Sequence, residues 1–97
     1  MFTGIIEALG QVADIEKVGS NFQFTLQSNI AYQLKVDQSL SHNGVCLTVT
    51  EVLGDKYKVT AIDETLSKSN LGSLAMSDWV NLERSMAAGG RFDGHIV

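Results

Sequence analysis

Residues 22–28 (FQFTLQS) alternate without a break: Phe22, Phe24 and Leu26 fall on one face, Gln23, Thr25 and Gln27 on the other. A period of two predicts a half-buried strand. Residues 45–53 (VCLTVTEVL) repeat the pattern, with Val45, Leu47, Val49 and Leu53 on one face and Cys46, Thr48, Thr50 and Val52 on the other. The turn signal LGDK follows, and 57–62 (YKVTAI) reads as the returning strand of a hairpin. Residues 4–15 are rich in Ile and Val but are interrupted by Gly10, which predicts a bulge or sharp bend; residues 16–21 (EKVGSN) read as a turn. Residues 79–84 (WVNLER) set Trp79, Asn81 and Glu83 opposite Val80, Leu82 and Arg84. Two stretches read as short helices. In 29–36, Asn29 is the expected cap and Ile30 and Leu34 are spaced for one helical face. In 63–70, Asp63 is the expected cap, with Gly72 suited to the exit. Residues 85–91 read as a small, glycine-rich loop.

Five or six strands so spaced, with only scraps of helix, predict an all-β fold, a small closed barrel without exposed edges. The 97 residues allow one domain, 1–97, and one modest core. With no proline, the turns must rely on Gly, Asn, Asp and Ser. No apolar run approaches the roughly 18 residues of a membrane span. The start has no basic segment and carries Glu7, so no signal peptide is expected. The single cysteine, Cys46, excludes an internal disulfide and fits a reducing cytoplasm. One Cys and two His are too few for an expected structural metal site. A net charge of −4, with no Lys/Arg cluster, argues against nucleic-acid binding.

Ser39 to Thr50 (SLSHNGVCLTVT) is the densest polar stretch. Asn43-Gly44 is a turn signal, and Cys46, Thr48 and Thr50 then project in a row. That row is either an ordinary outward strand face or a ligand wall offering a thiol and hydroxyls to a polyol or heterocycle edge. Cys46 has no cationic neighbour in its strand, so the default is a buried, inert thiol. His42 is expected in a turn as a structural hydrogen-bonder, and His95 lies near the chain end. Asp63-Glu64-Thr65 is explained by helix capping alone, or, more sharply, by backbone N–H groups at 61–65 and the Thr65 hydroxyl holding a neutral polar ligand. Gly89-Gly90-Arg91 lacks the context of a phosphate loop. The pattern F-x-G-x-I occurs at Phe2–Ile6 and again at Phe92–Ile96, which suggests a second copy of the domain beginning near 92–97.

These stretches resemble riboflavin synthase, specifically its N-terminal barrel. The matching motifs are MFTGI at 1–5, HNGVCLTV at 42–49, ETL at 64–66, SNLG at 69–72, DWVNLERS at 78–85 and GHIV at 94–97. They occur in the family's order and cover nearly the whole chain. The resemblance implies a six-stranded antiparallel, Greek-key-like barrel with one or two short helices, one of two similar barrels in a chain about twice this long. It implies a dismutation of two molecules of 6,7-dimethyl-8-ribityllumazine. One donates a four-carbon unit to the other, giving riboflavin and 5-amino-6-ribitylaminouracil without metal or redox cofactor. The substrates stack between unlike barrels of different subunits. Carried over by motif, Gly4, Ile5 and Ile6 form one wall of the site. Cys46, Leu47 and Thr48 form the second, Leu47 through its backbone. Thr60, Ala61, Ile62, Asp63, Glu64 and Thr65 form the third, and Gly94, His95 and Ile96 close it. Ser39, Cys46 and His95 are the implied chemical participants. A homotrimer is implied for the two-barrel protein, and a homodimer is expected for one barrel alone. The competing readings are a lumazine- or flavin-binding homologue without turnover, and a plain interaction barrel.

Overall fold

The computed structural model of this chain describes residues 7–84. Within them lie six strands: β1 (Ala8–Val18), β2 (Asn21–Gln27), β3 (Ser39–His42), β4 (Val45–Leu53), β5 (Lys56–Ala61) and β6 (Trp79–Arg84). One short helix, α1 (Asp63–Lys68), and 3-10 turns at Ala31–Gln33 and Asn70–Ser73 complete the described residues. Every strand pair is antiparallel, and the order β1-β2-β5-β4-β3-β6 closes back on itself. Within it, β2-β5-β4-β3 is a Greek-key order: three strands joined by hairpins, with β2 lying beside β5 across a long connection. This is the expected all-β barrel, in which every strand has a hydrogen-bonded neighbour on each side.

The alternation read from the sequence sorts inside from outside. Phe24 and Leu26 of β2, Leu47 and Val49 of β4, and Val59 of β5 are all buried, and their polar neighbours Gln27, Cys46, Thr48 and Thr50 face out. The ring is braced where β6 ends. Glu7, just before β1, pairs with the Arg84 guanidinium and accepts from the Arg84 backbone N–H at 3.1 Å, while Arg84 Nη1 donates to Gln33 Oε1 at 2.9 Å.

Several expectations are corrected. β1 runs on through the expected turn at 16–21, and the reversal is made by Gly19 and Ser20 alone, with Gly19 at φ +64°. Gly10 is not a bulge; the register shift lies between Val12 and Asp14. A Cβ at Gly10 would meet Leu82 Cδ1 at 3.0 Å and Leu26 Cδ2 at 3.4 Å, so this glycine allows close approach to the core. Asn29 caps no helix: the turn there is a single 3-10 turn whose N-cap position is Ile30. Asp63 is the first residue of α1 rather than its cap, a position held by Ile62. The helix ends at Lys68 with Ser69 as its C-cap, and Gly72 lies inside the following 3-10 turn. The four residues Ser39–His42 form a strand, which makes His42 its last residue instead of a turn residue. Leu53 leaves the face of Val45, Leu47 and Val49. Register slips between Val49 and Glu51, so Val52 faces Tyr57 and Leu53 is 44% exposed.

Candidate ligand site

β4 begins at a tight reversal. Asn43 (φ 52°) and Gly44 (φ 88°) both take the left-handed conformation that a two-residue hairpin turn needs. The Asn43 N–H donates to Asn81 O and its Oδ1 accepts from Asn81 N, both at 2.8 Å, so the turn is fastened to β6. Cys46 and Thr48 then point outward. Across the sheet, Ser41 stands opposite Cys46 and Ser39 opposite Thr48. The outward side of β3 and β4 thus carries a two-by-two block of one thiol and three hydroxyls, of which the Ser41 hydroxyl is buried at 5% exposure. Cys46 is exposed, not buried as its default reading had it, because Leu47 takes the inward position beside it.

α1 borders this block. Gly44, Val45 and Cys46 on one side and Glu64, Thr65, Lys68 and Ser69 on the other line an open groove of about 380 Å³. Two of the expected walls, that of Cys46 and that of Glu64 and Thr65, therefore meet. Glu64 accepts from Lys68 Nζ at 2.9 Å, so the groove's two charged side chains offset each other. Such a cleft suits an uncharged ligand with a flat apolar body and hydroxyl groups.

The other expected site residues fall in three groups. Leu47 and Ala61 are buried, so only their backbones could serve. Ser39, Thr48, Thr60, Ile62 and Asp63 do not line the groove, although Thr48 shares the outer face of Cys46 and Ile62 is 51% exposed. The Asp63 N–H is already donated to Asn21 Oδ1 at 3.2 Å. Gly4, Ile5, Ile6, Gly94, His95 and Ile96 lie outside the described residues. Lys68 and Ser69 were missed by reading the sequence. Their signal was there: they stand four residues after Glu64 and Thr65, hence on the same helical face. A larger hollow of about 630 Å³ lies elsewhere, between Leu9, Gln27, Asp55 and Trp79. It contains neither the thiol nor the hydroxyl block, and size alone does not make it the better candidate.

Comparison with known proteins bears on the family and the barrel fold. Residues 3–85 match the lumazine binding domain family. The riboflavin synthase of Actinobacillus pleuropneumoniae is 44% identical over the whole of this chain. The chain spans 46% of that relative's length and aligns to its N-terminal half. The structure of LumP complexed with 6,7-dimethyl-8-(1'-D-ribityl) lumazine superposes with a TM-score of 0.81 at 25% identity, covering 93% of this chain and 51% of that one. LumP complexed with riboflavin gives a TM-score of 0.80 at 26% identity, covering 87% of this chain and 46% of that one. With a closed six-stranded barrel, a neutral groove and a family match over residues 3–85, this chain belongs to the lumazine binding domain family.

Proposed function

We propose that this chain is the N-terminal, ligand-holding barrel of a riboflavin synthase and binds 6,7-dimethyl-8-ribityllumazine and riboflavin in the groove between β4 and α1. The observation that carries this reading is the groove itself. It sets a thiol and the Thr65 side chain around a charge-balanced cleft, next to the hydroxyls of Ser39 and Thr48. The ring system would lie on the apolar rim. The backbone near Leu47 would meet the pyrimidine edge, since the Ile62 carbonyl already accepts from the Leu66 N–H and the Asp63 N–H is donated to Asn21, and the hydroxyls of Thr48 and Thr65 would meet the ribityl chain. In the full reaction a four-carbon unit leaves one lumazine and joins the other, so that two lumazines become riboflavin and 5-amino-6-ribitylaminouracil. Ser39, Cys46 and His95 are proposed to position water or relay the proton lost from the acidic 7-methyl group. Much of the rate would come from holding two rings in register.

The same reading has consequences for assembly. A second barrel is proposed to begin near residues 92–97, the two-barrel enzyme to be a cytoplasmic homotrimer, and the isolated barrel to pair as a homodimer through the surface that would meet its unlike partner. Turnover by one barrel type is expected to be slight, since a misplacement of about 1 Å can cost on the order of 100-fold in rate. Titration of riboflavin fluorescence should give a saturable signal with one site per barrel. Absence of saturation at millimolar riboflavin would rule out a preformed site, and light scattering on the same samples reports the dimer.

Thr48 provides a sharper test. Its side chain is exposed and Val is nearly isosteric, so Thr48→Val should leave the unfolding midpoint in place. It should weaken riboflavin binding by about 1–2 kcal/mol, by stranding a ribityl hydroxyl. Equal affinity of the variant and the parent chain would remove Thr48 from the site.

A further inference from the structure

His42 closes β3 with its ring turned into the barrel, where it is 2% exposed. Its Nδ1 lies 3.0 Å from the Leu40 carbonyl oxygen and its Nε2 2.9 Å from the Tyr57 hydroxyl. A carbonyl can only accept, so Nδ1 carries the proton. In the neutral ring Nε2 is then bare, and it accepts from the Tyr57 O–H. Tyr57 can fill that role because its burial pushes the phenol well above its ordinary range and keeps it protonated. The arrangement admits one tautomer and one direction of hydrogen bonding.

The place of this bridge in the barrel gives it a consequence. His42 stands opposite Val45 and Tyr57 opposite Val52, at the two ends of β4. Seven residues of straight strand would separate those ends by about 23 Å, yet the two rings lie with centroids 5.8 Å apart. The bridge is a chord across the curve of β4, and the bulge at Thr50 supplies the bend. The outer side of that curve carries Cys46 and Thr48.

We propose that the His42–Tyr57 pair is a positioning tie for the ligand groove: it holds β4 in the bent course that sets Gly44, Val45 and Cys46 against α1, and it does so only while the imidazole is neutral. This rests on reading the groove as the ligand site. A second proton would go to Nε2, the position that now accepts. The Tyr57 hydroxyl would then have to turn its own hydrogen away into an apolar core. The strands around the ring set against it Val45 from β4, Leu82 from β6 and Tyr57 from β5. Their charged residues lie elsewhere: Glu51, Lys56 and Lys58 alternate to the outer face, Glu83 takes that same side opposite Ser41 although it is buried at 9% exposure, and Arg84 is committed to Glu7 and Gln33. On β1, Asp14, Glu16 and Lys17 are exposed. Burial is accordingly what lowers the His42 pKa to about 4, with the Leu40 carbonyl opposing it.

The test needs no ligand in its first stage. Nitrogen-15 spectra of the chain should show the proton on Nδ1 at neutral pH. As the pH is lowered, the backbone amides of Asn43 to Cys46 should shift with the midpoint of the His42 ring itself. Tyr57→Phe removes the donor and keeps the ring, so the tie is absent from this variant at every pH. At pH 8 the variant should bind riboflavin about fivefold more weakly than the parent chain, the size of one lost hydrogen bond, and the difference should shrink as the pH falls through the parent chain's own His42 midpoint. A change in packing alone would leave the difference independent of pH. A proton found on Nε2, or amides that stay silent while the ring titrates, would overturn the tie. So would riboflavin affinity that is indifferent to it. Amides that follow the ring in a chain that binds no riboflavin at any pH would uphold the tie and defeat only the ligand reading. The measurements on the parent chain stand without the variant.

Discussion

Phe24→Ala should lower the stability of this barrel by about 3–5 kcal/mol. Phe24 is 1% exposed at the centre of β2, opposite Val59 of β5 and Ile15 of β1, and it meets the edge of Phe22 with ring centroids 6.1 Å apart. Truncation removes the transfer energy of the ring and leaves a cavity that a closed barrel collapses into poorly, since its strands are held on both sides. A domain of this size has roughly 5–15 kcal/mol in total, so the variant stands at the edge of folding. Urea denaturation should show the midpoint falling with an unchanged slope. A loss below about 1 kcal/mol would mean that the interior around Phe24 is not close-packed. The opposite face of the same strand is the natural control. Gln23→Ala, on a half-exposed side chain, should move the midpoint by no more than about 0.5 kcal/mol.

Acidification should destabilise the fold through one buried group. The His42 pKa is held at about 4 by burial, against 6.5 in an unfolded chain. Between those values the unfolded chain binds the proton and the folded chain does not, so the folded state loses ground as the pH falls. The contribution is fully present above pH 6.5. It declines across the window down to about pH 4, and this group adds nothing further below that. The whole window corresponds to roughly 3 kcal/mol. Urea midpoints at pH 8, 6.5, 5 and 4 measure it, with His42→Gln as the reference that cannot titrate at that position. Equal pH slopes in the two chains would show that His42 charges as readily in the barrel as in water.

Much of the ligand groove was legible from local pattern because its parts lie on regular elements. Strict alternation over Val45 to Val49 decides that Cys46 and Thr48 leave the barrel on the side opposite Leu47. Helical spacing from Glu64 and Thr65 leads to Lys68 and Ser69. The meeting of Cys46 with Glu64 and Thr65 did not follow from either pattern. It came from the order β5-β4-β3, which lays β4 beside the strand that delivers α1. The motif resemblance anticipated that meeting only because related chains share the order.

The sequence by itself determined the strand faces, the hairpin at Gly54-Asp55, the barrel class and the family, because a half-buried strand leaves its periodicity in the chain and a turn leaves its glycine. The tertiary structure alone decided three things. Ser39–His42 is too short and too polar to signal a strand. It becomes one because β4 and β6 offer it hydrogen-bond partners on both sides. Leu53 and Val52 exchange faces at a bulge, and nothing in VCLTVTEVL marks it, since an extra residue is stored wherever closure demands curvature. His42 reads as a turn residue until Tyr57, fifteen positions away, supplies a hydroxyl at 2.9 Å in the core. A buried imidazole is tolerable only with both nitrogens satisfied, and a partner that distant is chosen by the closed barrel rather than by its neighbours in the chain.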